Sequence, residues 1–490
     1  MSFIAIDPSL IESKDLFPLS LVAMEHFWMW DDVPLHPKRF RVVIELSGVV
    51  NVPRLESSIA FAAARHPMLV SVIESGARTR QWIIPSEPRV GWQWNSGPWQ
   101  ASPFPDEWNL AVEGGLRIWG SQNDEAAEIS FETHHAASDA LGLRQFLRDI
   151  FVAYDQLTKD PNRQPELPKL TYARLKERGV FLRPAPTADT RSTTTWEKIV
   201  GAYHFHFRGP APIATPKSSS KARTAASRHH YFRHTFDRSE TDRIEQTHTE
   251  NALKIFAAKS PVGVHGRDVA SSHETLSTLN DAAIAHMMQV LATWNADHGS
   301  APPGQRLRIM IPTDLRTLRD SRSPASNRLG FGFVVATQSD CGDFSKLLSN
   351  IRSQTQAIRK YRLGLDFVEI FGLFAKQSKI AAWLIRLPRC LATAVLTNMG
   401  DSFGRFRKLF EVVDGKFKVG DLFVESFAGY PPLRHKTLLG IGMSRCAGRL
   451  TMGIIIDGEK FSYDQAEKLN QLWIQSWSDS INEAEHSNDA

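Results

Sequence analysis

Two runs of alternating strand and helix patterns, separated by a Thr-, Ser-, Pro- and Lys-rich stretch from Thr187 to Ser227, limit what this chain can fold into. A single hydrophobic core stops growing at roughly 250–300 residues, and the chain has 490. Pro210, Pro212 and Pro216 beside Ser218, Ser219 and Ser220 give the stretch the composition of a linker. Its Lys217, Lys221 and Arg223, with Arg228 just beyond, read as solvating charges. No repeat with a period of roughly 20–50 residues occurs, so a solenoid is excluded. The expectation is an α+β protein of two lobes, residues 1–186 and 228–490, joined by 187–227.

In the first lobe, Arg39–Leu46 alternates as a strand, and Pro53 opens a helix whose Leu55, Ile59, Ala62 and Ala63 form the buried stripe before Pro67. From Glu128 a period of two puts Ile129, Phe131, Thr133 and His135 on one face and Glu128, Ser130, Glu132 and His134 on the other. The chain turns near Asp139, after which Leu143, Phe146, Leu147 and Ile150 fall at helical spacing. The second lobe restarts with a strand at Tyr231–Phe236, and Ala252–His273 reads as an inserted loop. A helix over Leu276–Asn295, strands at Leu307–Ile311 and Ala394–Asn398, and a hairpin across Cys446-Ala447-Gly448 follow. Ser462 with Gln465 forms a capping box for a last helix that buries Ala466, Leu469 and Trp473.

Composition removes several function classes. A net charge of +5 over this length does not call for a nucleic-acid partner. Cys341, Cys390 and Cys446 are far apart, which excludes a disulfide scaffold or cysteine zinc cluster and suits a reducing compartment. Met1–Leu10 lacks a basic region and is followed by Glu12 and Asp15, so no signal peptide is read and a cytoplasmic location is expected. No uncharged apolar run reaches ~18–20 residues. Phe371–Leu391 mixes apolar residues with Lys376, Lys379, Arg386 and Arg389, as a buried helix or one in weak contact with a membrane surface would. No G-x-S-x-G occurs, and Gly330-Phe331-Gly332 lacks the helix start that a phosphate loop needs.

The chemistry centres on His135. A neutral imidazole is suited to take a proton from a hydroxyl or amine near neutral pH, and Asp139 would fix the turn behind it. The same spacing also describes a buried, hydrogen-bonded core histidine, and spacing alone leaves both readings open. Adjacent His134 and His135 face opposite ways and have no third ligand nearby, so no metal site is expected.

His134-His135-Ala136-Ala137-Ser138-Asp139 resembles the HHxxxDG motif of the chloramphenicol acetyltransferase-like superfamily, which includes condensation domains, alcohol acyltransferases and wax ester synthases. Other segments are similar in the same order: Pro18-Leu19-Ser20, Arg65-His66-Pro67, Asn280-Asp281, Pro312-Thr313-Asp314-Leu315-Arg316, Asn327-Arg328-Leu329-Gly330 and Thr397-Asn398-Met399-Gly400. The resemblance implies two related lobes of mixed sheets flanked by helices, with an active-site tunnel between them. It implies an acyltransferase in which His135 takes the proton of an alcohol or amine attacking a thioester. No cofactor is implied beyond acyl-CoA or an acyl-carrier protein as co-substrate, and a carrier protein is a candidate partner. Asp139 would be structural with Arg316 as its salt-bridge partner, and His134 would give support. Thr397 and Asn398 would position substrate or an oxyanion, and Asn280 would contribute to substrate binding or structure. Two departures stand out. No DFGWG-like segment occurs, which argues against the plant-type branch. The motif glycine is Ala140, and since alanine does not take positive φ cheaply, an altered turn with reduced activity is expected. A non-catalytic relative that binds an acyl ligand or a partner protein is the alternative.

Overall fold

The computed structural model describes residues 2–75, 80–97, 102–183, 209–216, 228–259, 278–299, 301–374 and 378–488. The first half contains β1 (Ser2–Ala5), β2 (Leu19–Ser20), α1 (Ala23–Asp31), β3 (Arg39–Ser47) and α2 (Val52–Arg65). Next come β4 (Val72–Ser75), β5 (Arg80–Ile83), β6 (Arg89–Ser96), β7 (Leu116–Gln122), β8 (Ala126–His134) and α3 (Ala140–Lys159). The second half begins with β9 (His229–Thr235), α4 (Arg238–Lys259), α5 (Leu279–His298), β10 (Arg306–Asp314) and β11 (Leu329–Thr337). It continues through α6 (Phe344–Lys360), α7 (Gly364–Phe374), α8 (Ser378–Arg386), β12 (Ala394–Asp401), β13 (Glu411–Val413) and β14 (Lys416–Val419). It closes with β15 (Leu422–Tyr430), β16 (Leu439–Cys446), β17 (Arg449–Asp457) and α9 (Tyr463–Asn488).

Among the described residues the strands make one sheet in the order β1-β6-β7-β8-β3-β15-β14-β13 and a second in the order β11-β10-β12-β16-β17-β9, with β2, β5 and β4 as a small third. α2 and α3 cover the first sheet, packing Leu55, Ile59 and Ala62 beside Leu143, Phe146 and Ile150. α5, α6 and α9 cover the second through Met287, Leu291, Leu348, Ile351, Leu469 and Trp473. The last helix has the expected cap, with Ser462 N–H donating to Gln465 Oε1 (3.0 Å) and Gln465 N–H to Ser462 Oγ (3.3 Å). In the β16–β17 hairpin Cys446 faces Arg449, and Ala447 and Gly448 both take positive φ (53° and 75°), as a tight two-residue turn requires.

The two-lobe architecture expected from the sequence is present, but the sheets do not divide at the expected boundary. β13, β14 and β15 come from the second half yet complete the first sheet, where β15 runs antiparallel to β3 with Phe427 opposite Ile44. β15 also passes over the second sheet, and a side chain at Gly442 would overlap the Gly429 carbonyl. One strand therefore welds the two sheets together.

The linker reading also needs correction. Residues 209–216 lie against the second lobe: Ala211 N–H donates to Arg306 O (2.9 Å), Trp294 Nε1 donates to Ala214 O (2.8 Å), and Ile213 is buried. Arg228 is an ion-pair partner of Asp106 (3.7 Å) rather than a free solvating charge. Lys217, Lys221 and Arg223 lie outside the described residues. The expected loop at Ala252–His273 begins as helix, since α4 runs to Lys259; the rest of it lies outside the described residues.

A third core fills the space between the lobes. α1 contributes Met24, Phe27 and Trp28, and α7 and α8 contribute Leu365, Val368, Ala381 and Ile385. Phe371, Ala381, Ala382, Ile385 and Leu391 of the Phe371–Leu391 stretch are buried or half-buried, while Leu373, Ile380 and Trp383 are exposed. Among the described residues no helix is long and apolar enough to cross a membrane.

Candidate active site

β8 is held on both sides, pairing His134 with Arg39 of β3 and Thr133 with Leu116 of β7. One further bond, His135 N–H to Lys38 O (2.8 Å), carries the ladder past the end of the strand. The chain then folds into a turn closed by Ala137 N–H on His134 O (2.9 Å), and Asp139 caps α3 by accepting from Gly142 N–H (2.8 Å). The two histidines separate at this junction. His134 is buried; its Nδ1 accepts from Ala136 N–H (3.1 Å), which leaves the proton on Nε2, 3.6 Å from Asp32 Oδ2. Burial alone would raise the Asp32 carboxyl, but the His134 contact together with Lys38 holds it below the usual range.

His135 lies in the wall of a cavity of about 150 Å³ between the lobes. Its ring stacks on the Trp28 indole, with centroids 4.0 Å apart and planes 8° from parallel, and Phe40 leans on it at 4.8 Å. Asn327 Nδ2 donates to the His135 carbonyl (2.6 Å). The same Nδ2 lies 3.4 Å from His135 Nδ1. None of these contacts uses Nε2. Burial pushes the imidazole down to about 3, against the opposing field of Asp139.

Asp139 has no spare acceptor capacity for chemistry. Besides Gly142 N–H it receives both terminal nitrogens of Arg316 (2.9 Å each) and Arg328 N–H (2.7 Å). Burial raises its pKa, but Arg316 more than offsets this and keeps the carboxyl ionised. Arg316 also donates to Ser326 O (2.8 Å), so the pair ties the start of α3 to the loop before β11. His66 reinforces that tie from α2, accepting from Ala325 N–H at Nδ1 (2.8 Å) while Nε2 contacts Asp149 (3.3 Å). The Arg65-His66-Pro67 segment is thus a clamp between lobes.

The departure at Ala140 has a simple geometry. Ala140 is the first residue of α3, and among the described residues the non-glycine positions with positive φ are Arg362, Asp414, Lys436 and Ala447. The altered turn expected there is therefore not needed. The demand for glycine falls at Gly142, where a side chain would overlap Ser138 Oγ and come within 2.7 Å of Ser326 O. Gly142→Ala should lower stability by about 1–3 kcal/mol, the usual range for overpacking, seen as a lower thermal midpoint. An unchanged midpoint would contradict this placement.

Thr397 and Asn398 both line the cavity, with Asn398 exposed and its Oδ1 accepting from Gly400 N–H (2.8 Å). Asn280 is not in the cavity wall. Its neighbour Asp281 makes the bonds of that segment, accepting from Thr355 Oγ1 (2.7 Å) and Arg352 (3.3 Å) to fasten α5 to α6. Sequence reasoning missed Trp28, Asn327 and Lys38. Lys38 is buried and donates to His36 O (2.8 Å) and Leu433 O (2.7 Å). Arg434 beside it is bidentate on Asp31 (2.7 and 2.8 Å). Burial lowers Lys38 to about 8 despite Asp31 nearby. Asn327 lay inside a matching segment, but its reach to His135 has no sequence signal. Among the described residues no group of His, Cys, Asp and Glu is placed to hold a metal ion.

No protein-family model matches the chain, and no curated protein does. Solved structures do. The epimerization domain of the third module of tyrocidine synthetase B superposes with a TM-score of 0.60 at 12% identity, covering 96% of this chain and 97% of that one. The TRI3 trichothecene 15-O-acetyltransferase of Fusarium sporotrichioides gives 0.61 at 12% identity, covering 94% of each chain. The starter condensation domain of rhizomide synthetase, solved with C8-CoA and Leu-SNAC, gives 0.59 at 10% identity over 97% of this chain and 96% of that one. The chain shares the two-lobed fold of these structures. Within it, the neighbours are condensation and epimerization domains and an O-acetyltransferase.

Proposed function

We propose that this protein is an acyltransferase that moves an acyl group from a thioester, acyl-CoA or acyl-carrier protein, to a hydroxyl or amine, with His135 as general base. The observation that carries the reading is the His135 imidazole, neutral, stacked on Trp28 and faced at Nδ1 by Asn327, with Nε2 unused in the wall of an interlobe cavity. The acceptor O–H or N–H donates to Nε2, and its oxygen or nitrogen attacks the thioester carbonyl carbon as the proton passes to the imidazole. Collapse of the tetrahedral intermediate breaks the C–S bond, and the imidazolium returns the proton to the departing thiolate. His135 thus ends each cycle as it began, and the residues present require no metal or prosthetic group for these steps. Phe331, Phe333, Phe367, Leu391 and Val395 give the cavity an apolar wall suited to an acyl chain. The non-catalytic alternative rested partly on Ala140, whose ordinary backbone now gives no reason for it.

The direct test incubates the protein with acetyl-, octanoyl- or palmitoyl-CoA, each with and without octanol or octylamine, and follows free thiol and ester or amide product. Acceptor-dependent release with at least one donor is expected. Binding of a donor with no release from any pair would favour the non-catalytic reading.

The pH dependence carries a distinct signature. An imidazole with a pKa of 6.5 loses about tenfold in free base between pH 6.5 and 5.5. Burial holds His135 near 3, so acidification protonates it only far below neutrality. kcat/KM is therefore expected to show no acid limb near 6.5; a tenfold loss by pH 5.5 in a protein that stays folded would contradict the buried, neutral base.

A further inference from the structure

The phenyl rings in the cavity wall form one connected cluster, and Phe367 of α7 is its hub. Phe367 meets Phe27 of α1 edge-on at 5.2 Å, Phe331 of β11 at 5.1 Å with the planes perpendicular, and Phe333 at 6.1 Å. All four rings line the cavity, and Phe367 is only half-buried, so it presents accessible ring surface. Phe371, one turn further along α7, backs it at 4.6 Å. Ring contacts also tie the cluster to the base. They run from His135 to Trp28 (4.0 Å), from Trp28 to Phe331 (5.7 Å) and from Phe331 to Phe367.

The depth at which Phe367 stands is set by how closely α7 approaches the second sheet. A side chain at Gly364, the first residue of α7, would overlap Thr313 Oγ1 of β10. One at Gly330 of β11 would overlap the Gly364 carbonyl. Glycine at both positions lets the helix start lie directly on the strands. Arg362, with a positive φ of 49°, fastens the same end by donating to Leu182 O and Leu315 O (2.7 Å each). Arg183 adds an ion pair with Asp366 (2.6 Å). One turn after Gly364, Phe367 is therefore presented at a fixed depth.

The space in front of it is small, about 150 Å³. Pockets for drug-sized ligands run to roughly 300–1,000 Å³, whereas an apolar cavity of about 150 Å³ holds benzene. We propose that Phe367 is the stop for the acyl chain, so that the donors are short acyl thioesters of up to about six carbons, the carbon count of benzene. The inference rests on the acyl-transfer reading above and adds to it a donor class and the residue that sets it. An acyl chain with its carbonyl beside His135 runs along the apolar wall and ends on the Phe367 ring. A longer chain cannot push that ring aside, because α7 is pinned at its start and Phe27 and Phe331 flank the ring.

The test measures kcat/KM of the full chain for acetyl-, butyryl-, hexanoyl-, octanoyl- and palmitoyl-CoA with one acceptor, beside calorimetric binding of the same series. Wild type is expected to favour butyryl or hexanoyl over palmitoyl by at least about tenfold, the lower end of what one misfitting methylene costs in an apolar pocket. Phe367→Ala is expected to raise the octanoyl-to-butyryl ratio by at least about tenfold. Phe367→Leu, the milder change should alanine not fold, is expected to raise it by a smaller factor. Lost packing alone would slow every donor alike and leave the ratio at its wild-type value. An unchanged ratio in the folded variants, or palmitoyl as the best wild-type donor, would overturn the stop. Binding that shows the length preference and its shift, with no thiol released, would uphold the stop and overturn the acyl-transfer reading. Binding of none of the series would overturn both.

Discussion

His135→Ala is expected to lower acyl transfer by about 10²–10⁴-fold, the weight that general acid–base catalysis normally carries, without loss of the fold. The effect should fall on kcat, because Nε2 acts on the proton in flight and contributes little to holding the ground-state thioester. The fold should survive because the structural bonds at this position are made by the backbone. His135 N–H on Lys38 O and Asn327 on the His135 carbonyl both remain when the side chain is cut back. The cost is the lost stack on Trp28 and a small void in a wall that already faces a cavity. Circular dichroism and a thermal scan establish that the variant is folded before its rate is compared.

The second large effect is expected at the pair beneath the turn. Removing one partner of a buried ion pair costs about 3–5 kcal/mol, because the remaining charge is stranded. In Arg316→Ala the stranded charge is Asp139, which is 3% exposed. Gly142 and Arg328 N–H still reach it, so a loss near the lower end of that range is expected. Activity should fall too, through a short chain of contacts. Arg328 N–H rests on Asp139, and the preceding residue, Asn327, holds the His135 carbonyl. Arg316→Lys keeps the charge and loses the two-pronged geometry, so it should sit between wild type and alanine. Thermal midpoints ordered wild type, Lys, Ala would support the pair's structural role; equal midpoints would refute it.

The sequence carried the local chemistry of this site better than its long-range assembly. The period-two pattern ran from Ile129 to His135, and the ring does line the cavity, because a ladder bond to Lys38 extends the strand by one residue. The turn at Asp139 was legible for the same reason, since an aspartate that caps a helix is a local signal, whereas the need for glycine at Gly142 comes from the distant Ser326. The crossing of β13–β15 into the first sheet was not legible, because alternation tells that a segment is a strand and not which strand it pairs with. Residues 209–216 read as linker from composition, yet their backbone is bonded to Arg306 and their carbonyls to Trp294 and Thr393. Trp28 sat in an aromatic-rich helix in which any ring could have been plain core. What sets it apart, the stack on His135, exists only once two distant segments meet.

The most direct measurement is a single-turnover assay of thiol release with enzyme in excess of an acyl-CoA, in the presence and absence of acceptor, for wild type and His135→Ala matched by thermal midpoint. Wild type is expected to release thiol together with ester or amide product only when acceptor is present, and His135→Ala at least a hundredfold more slowly. Equal, acceptor-dependent rates in the two proteins would contradict His135 as the base.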